Sequence, residues 1–224
     1  MKPRDRRGGL PEFPSIFLLS VASPSQMPSP GGFGIIGLAG RSNVGKSSLI
    51  NRLAGAHRLA RTGKRPGATT LPNLYRILSG GYFLDFPGYG YMNRSQGIKK
   101  SSQDISTTLV ESRPDISAIL LCVDIRREVL PADQEAARWF FSRGLPVAVV
   151  LTKLDTLSGN GRTAQIRNWK RWIEEEEAEG LLGLYPVSAR SGEGIPEVAA
   201  LVGRILSGFP GGGRESTGEE CPPV

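Results

Sequence analysis

The chain has 224 residues, 39% of them hydrophobic, enough for one domain of ordinary size, and its two cysteines, Cys122 and Cys221, leave no material for a disulfide framework or a four-cysteine zinc site. The formal net charge of +7 conceals an asymmetry: residues 1–100 carry 15 Lys/Arg against 3 Asp/Glu, a net of +12, while residues 101–224 carry 13 against 18, a net of −5. A basic half of this kind attracts polyanions, whereas the longest apolar stretch, Ile116–Ile125 (ISAILLCVDI), is half a membrane span, so no transmembrane helix and no membrane partner are expected.

In chain order, residues 1–15 read as a basic, flexible N-terminus, followed by a short apolar segment, Ile16–Val21, and a Pro/Ser-rich linker, Ala22–Pro30. The apolar segment is too short for a signal peptide and is broken by Ser20, so a cytoplasmic protein is expected. Beyond the linker, β-rich runs alternate with helical patterns. Strands are predicted over Phe33–Ala39, Asn73–Ser79, Tyr82–Asp85, Ala118–Asp124, Val147–Thr152 and Leu184–Val187. Helices are predicted over Lys46–Ala54, Lys99–Glu111, Ala132–Ser142, Arg162–Glu179 and Ile195–Leu206. This alternation is the signature of a parallel sheet with crossover helices, an α/β domain over residues 16–207. The Gly- and Pro-rich stretch 208–224 is expected to be disordered.

Chemistry concentrates in the loops after these strands. Gly40–Ser47, GRSNVGKS, fits GxxxxGK[ST] between a strand and a helix, the frame in which backbone N–H groups and a helix N-terminus wrap phosphates. Within it Lys46 reaches the β- and γ-phosphates and the Ser47 hydroxyl is suited to Mg²⁺. Upstream, Gly32–Gly37 (GFGIIG) matches the dinucleotide pattern GxGxxG, but it overlaps the strand instead of following it, so the match reads as coincidence.

Asp85-Phe86-Pro87-Gly88 ends the third predicted strand, where a magnesium-linked carboxylate belongs and a glycine N–H senses the γ-phosphate. Thr152-Lys153-Leu154-Asp155 follows another strand. Its carboxylate suits the paired donors of guanine N1 and the 2-amino group, which adenine lacks. Ser188-Ala189-Arg190 follows the last strand and presents backbone N–H groups toward guanine O6, favouring GTP over ATP. Between these lies Pro66–Thr70 (PGATT), flanked by Arg58, Arg61, Lys64 and Arg65; Thr69 and Thr70 are equally placed, on spacing alone, to complete a metal shell. His57, the only histidine, reads as a surface residue; Trp139, Trp169 and Trp172 as packing; Cys122 as a small buried hydrophobe; and the run Glu174–Glu177 as a solvated helix face.

With GRSNVGKSS (Gly40–Ser48), PGATT, DFPGYGY (Asp85–Tyr91), TKLD and SARSGEGI found in this order, residues 16–206 resemble the EngB family of bacterial GTPases. The resemblance implies a Ras-like P-loop G domain with a six-stranded, mostly parallel sheet and helices on both faces. It also implies GTP/GDP and Mg²⁺ as ligands and a role in assembling the large ribosomal subunit, with precursor rRNA and ribosomal proteins as partners. By the same resemblance Ser47, Thr69 and Asp85 hold Mg²⁺, Gly67–Leu71 (with Ala68 and Thr70) forms a first switch, and Asp85–Gly88 opens a second. The catalytic set is then Lys46, Asn43, Thr69 and Gly88, lined by Arg41, Ser42, Val44 and Gly45. Asn43 matches an asparagine with which related GTPases ligate an activating K⁺. Ala68 and Thr70 depart from the Arg and Gln common in the family. Tyr89 stands where Ras-type enzymes carry the water-orienting glutamine, so slow intrinsic turnover is expected. A monomer is expected. The rival readings are a constitutive RNA-binding module, an ATP-using P-loop enzyme and a tRNA-modification GTPase of the same superfamily.

Overall fold

The computed structural model of the chain describes residues 13–29, 32–61, 71–89, 105–176 and 179–208. Residues 1–12 and 209–224, the predicted first switch at Gly67–Thr70 with Lys64 and Arg65 beside it, and the start of the helix predicted over Lys99–Glu111 lie outside the described residues.

Among the described residues, seven strands form one sheet in the order β1-β3-β4-β2-β5-β6-β7. They are β1 (Ser15–Ser20), β2 (Ile35–Gly40), β3 (Asn73–Ile77), β4 (Tyr82–Asp85), β5 (Ile116–Asp124), β6 (Val147–Thr152) and β7 (Leu181–Pro186). β4, β2, β5, β6 and β7 run parallel, while β3 pairs antiparallel with both β4 and β1. The expected six strands thus become seven. The apolar segment after the N-terminus pairs along the free side of β3, because a short β-rich run beside an open edge gains ladder hydrogen bonds at little ordering cost. It leaves Ile16, Phe17 and Leu18 exposed and carries a register shift between Phe17 and Leu19.

The structure also begins earlier than the boundary at residue 16: Phe13 is buried, stacks edge-on against Phe83 and donates its N–H to the Leu53 carbonyl at 3.0 Å. The expected linker is built into a turn. Ser23 caps Pro24–Gln26, the Gln26 side chain accepts from the Ser23 N–H, and Arg113 donates to the carbonyl of Pro28.

Helices α1 (Lys46–Leu53) and α5 (Ile195–Ser207) cover one face, and α2 (described over 105–112), α3 (Pro131–Phe141) and α4 (Gly159–Glu176) the other. Strands buried on both faces read as continuous apolar runs, and β5 and β6 show why. Ala118, Leu120, Cys122, Ala148 and Val150 pack under α1 and α5, and their alternating neighbours Ile119, Leu121, Val123, Val147, Val149 and Leu151 pack under α3 and α4. Gly37 confirms the coincidental nature of GFGIIG: it sits inside β2, where a Cβ would fall 2.6 Å from Ile119 Cδ1. Trp169 and Trp172 are buried in the α4 core, Trp139 is partly buried under Arg143, and Cys122 is fully buried, its thiol pushed up to about 12 by desolvation. His57 is exposed; in the acidic run Glu174 and Glu175 are exposed and Glu176 pairs with Arg138. Among the described residues no helix is long and apolar enough to cross a membrane.

Candidate functional site

Because the central strands are parallel, their C-terminal ends open on one rim, and the loops leaving β2, β4, β6 and β7 gather there. Each carries one of the motifs predicted from the sequence.

The loop after β2 is pinned from several sides. Gly40 has φ +148°, and a side chain there would run into the Cys122 carbonyl. Asn43 and Gly45 adopt left-handed backbone at φ 63° and 116°, which turns the chain into α1. Thr152 Oγ1 lies 2.5 Å from the Val44 carbonyl and 2.9 Å from that of Val123. Lys153 Nζ donates to the Asn43 carbonyl at 2.7 Å. The loop therefore keeps its shape through neighbours in β5 and β6 as well as through its own sequence. Lys46, the first residue of α1, is buried and donates to the Gly40 carbonyl at 3.1 Å, so its ammonium lies inside the loop, where helix N-terminal N–H groups also favour an anion. Arg41, Ser42, Ser47 and Ser48 are partly buried, Val44 is buried, and Asn43 is exposed.

Asp85 ends β4 in register with Leu38 of β2 and is 2% exposed. Burial raises its carboxyl to about 6, with the nearby Lys46 ammonium pulling the other way. Its Oδ1 has no hydrogen-bond partner among the described residues. A buried acceptor without a donor is costly unless something electropositive comes to it, so the position fits the coordination shell of a hard divalent cation, as expected of the Mg²⁺ site. Phe86 is buried with its N–H on the Leu38 carbonyl, and Pro87 and Gly88 follow, partly buried. Gly88 lies directly on the phosphate loop: a Cβ there would fall 2.6 Å from the Ser42 amide nitrogen and from its Oγ. Leu71, the described residue of the predicted first switch, precedes β3 at the same rim, since Asn73 is in register with Asp85.

The third and fourth motifs meet each other. Leu154 N–H donates to the Val187 carbonyl, and Asp155 Oδ1 accepts from Ser188 Oγ at 2.7 Å. Ser188 is fully buried, and its Oγ in turn accepts from the Ser191 N–H at 3.0 Å. Ala189 is partly buried, and Arg190 is exposed with its guanidinium 3.9 Å from Asp155. A carboxylate held by a buried hydroxyl beside the Ala189 and Arg190 backbone is suited to a base with adjacent donors and a carbonyl.

Sequence reasoning missed one member of this region. Asp124, at the end of β5, bonds Lys153 Nζ at 2.7 Å and Arg126 at 2.6 Å. Burial works against its charge, but the hydrogen bonds from Arg126 and Lys153 prevail and hold its carboxyl down at about 2. The available signal was its place: a carboxylate at the C-terminal end of a central parallel strand. Asp124 neutralises the lysine that braces the phosphate loop.

The chain is similar to known proteins over most of its length. The sequence profile described as a 50S ribosome-binding GTPase matches residues 35–153. The probable GTP-binding protein EngB of Methylobacillus flagellatus is 32% identical over 190 residues, which are 85% of this chain and 90% of that protein. The probable GTP-binding protein EngB of Nitrosococcus oceani is 44% identical over 156 residues, 70% and 78% of the two chains. Among solved structures, that of a probable GTP-binding protein engB is similar with a TM-score of 0.61 at 27% identity, over 77% of this chain and 98% of that one. Era in complex with MgGDPNP and nucleotides 1506–1542 of 16S ribosomal RNA is similar with a TM-score of 0.63 at 26% identity, over 85% and 59%. The likeness to the EngB proteins reaches well past the phosphate loop, to 90% of the M. flagellatus protein, and the chain belongs to the EngB family of GTP-binding proteins, GTPases that use GTP/GDP and Mg²⁺.

Proposed function

We propose that the chain is a GTP-operated switch in assembly of the large ribosomal subunit. The observation that carries this is the contact of Gly88 with the Ser42 backbone. A glycine packed this closely on the phosphate loop stands where its N–H can meet a γ-phosphate, which would pass nucleotide state to the chain that follows. The profile match, whose description names the 50S ribosome, and the basic N-terminal half support the choice of partner.

In this reading the loop Gly40–Ser48 cradles the phosphates, with Lys46 on the β- and γ-oxygens. Asp155, oriented by Ser188, reads the guanine edge, with Thr152, Lys153 and Leu154 holding its loop in place and Ala189 and Arg190 offering backbone N–H groups. Ser47, Asp85 and Thr69 would hold Mg²⁺, which would supply positive charge to the phosphates; the unpartnered Oδ1 of Asp85 supports that assignment. Residues 67–71 form the first switch and Asp85–Gly88 open the second. The working unit is one G domain over residues 16–207, extended at its start by Phe13 packed against Phe83, between a basic N-terminal tail and a C-terminal tail, acting as a cytoplasmic monomer.

Intrinsic turnover is slow because Tyr89 has no carboxamide with which to orient water. Asn43 assists through K⁺: its main-chain carbonyl is engaged by Lys153, and its side chain, exposed, makes no hydrogen bond among the described residues, leaving the amide oxygen for a cation.

Co-sedimentation with large ribosomal subunits in K⁺ buffer tests the switch. Binding with a nonhydrolysable GTP analogue and not with GDP is the expected result; equal binding would leave a constitutive module with structural nucleotide. Binding should also fall steeply with salt, by a log-log slope of about −0.7 to −0.9 per phosphate contact. Single-turnover hydrolysis should be faster in K⁺ than in Na⁺, and equal rates would remove the cation from the reading.

A further inference from the structure

We propose that Asp133 is a positioning residue for the second switch: by accepting the Tyr89 hydroxyl it holds Gly88 on the phosphate loop and so favours GTP over GDP. This rests on the reading of Gly88 as the γ-phosphate sensor. Tyr89 is the next residue in the chain, and three elements converge on it. Its backbone forms an isolated parallel bridge with Arg41 of the phosphate loop. Its ring packs against the core under α3 and α4. Its hydroxyl donates to Asp133 Oδ1 at 3.0 Å.

Asp133 is no solvated surface acid. It is 3% exposed, in the first turn of α3, a helix that Pro131 starts and that packs on β5 and β6. Burial raises its carboxyl above the usual carboxylate range, against the pull of the Tyr89 hydroxyl, Arg41 and Arg127, and Tyr89 provides its one side-chain hydrogen bond among the described residues. Burial and the neighbouring carboxylate drive the phenol far above its ordinary range, so the hydroxyl keeps its proton and remains a donor at any physiological pH.

The lever is short. One peptide separates the phenol's anchor from the Gly88 N–H, and the clearance between Gly88 and Ser42 leaves no room for a slack segment. A phosphate-bound Gly88 requires Tyr89 to stay where Asp133 and Arg41 hold it. A diphosphate makes no such demand. Hence the anchor acts on triphosphate affinity and leaves diphosphate affinity alone.

The test uses the full chain and measures dissociation constants for a nonhydrolysable GTP analogue and for GDP, both with Mg²⁺, by displacement of a fluorescent GDP. Tyr89→Phe keeps the ring and removes only the donor; the analogue should bind about tenfold more weakly, the scale of one hydrogen bond to a charged acceptor, with GDP changed less than twofold. Asp133→Ala should do the same, and Asp133→Asn, which retains an acceptor oxygen, should recover to within about threefold of wild type. Equal losses for both nucleotides, or no loss in Tyr89→Phe, would overturn the proposal, the first showing a purely structural contact. Gly88→Ala separates the two levels. If Gly88→Ala loses discrimination and Tyr89→Phe keeps it, Asp133 is not the anchor; if Gly88→Ala keeps it, the sensor reading itself fails.

Discussion

Replacing Asp85 with asparagine is expected to raise the melting temperature of the nucleotide-free protein at pH 7.5 while removing the Mg²⁺ dependence of tight GTP binding. The two effects have one cause. Asp85 is 2% exposed with an unpartnered Oδ1, and its carboxyl sits near 6 instead of 3.8. In the folded chain the proton is therefore held more tightly than in the unfolded one. The stabilising contribution of the protonated form is complete below pH 3.8 and is lost as pH rises through 6; above that, the buried charge costs about 3 kcal/mol. Asparagine escapes the charge penalty but leaves its amide poorly paired, so the net gain is on the order of 1–3 kcal/mol, or roughly 2–10 °C for a chain of this size. Calorimetry over a pH series checks it. The advantage of Asp85→Asn should shrink toward pH 4, and a variant that melts below wild type at pH 7.5 would refute the argument. With Mg²⁺ and a GTP analogue the order should reverse, since the amide cannot replace an anionic ligand. A site that destabilises the empty protein and is relieved by its ligand is a common bargain in functional centres.

The other large effect is a change of base. Asp155→Asn should weaken GDP binding by roughly a hundred- to ten-thousandfold, as two charge-assisted hydrogen bonds at about 1.5–3 kcal/mol each are lost or reversed. It should at the same time create affinity for xanthosine diphosphate, whose 2-carbonyl accepts where guanine donates. The direction of the new amide is set by Ser188. One lone pair of its Oγ receives the Ser191 N–H, and its own proton goes to the side chain at position 155. In the variant an amide oxygen that takes that proton turns the NH₂ group toward the base. Paired titrations with the two diphosphates decide the matter. Unchanged GDP affinity would remove Asp155 from base recognition, and loss of both affinities would point to a collapsed loop.

Much of the rim could be read from the sequence because each motif announces itself by residues that have few other uses there. Tyr82–Asp85 and Val147–Thr152 match their predicted strands residue for residue, since both are apolar runs ending in a polar residue that starts a loop. The edges were harder. Ile16–Val21 has the composition of a strand but no partner visible in sequence, and pairing with β3 across more than fifty residues is a tertiary fact. β7 starts at Leu181, not Leu184, because Gly183 at φ 122° interrupts the apolar pattern without interrupting the ladder. α4 starts at Gly159, through Gly159-Asn160-Gly161, residues of poor helical propensity that only the surrounding structure makes helical. The supporting acids were the least legible. Asp124 and Asp133 belong to no motif, and their meaning depends on which cation or hydroxyl the fold brings to them.

Among the described residues the non-glycine positions with left-handed backbone are Asn43 and Lys153, one in the phosphate loop and one in the guanine loop. Each conformation is uphill for its residue alone, yet the two are tied to one another, Lys153 Nζ on the Asn43 carbonyl, with Asp124 locking the lysine from behind. The floor beneath the phosphates and the floor beneath the base are thus a single plank. Loosening either loop therefore disturbs the other through one lysine, and the two ends of the rim are mechanically coupled.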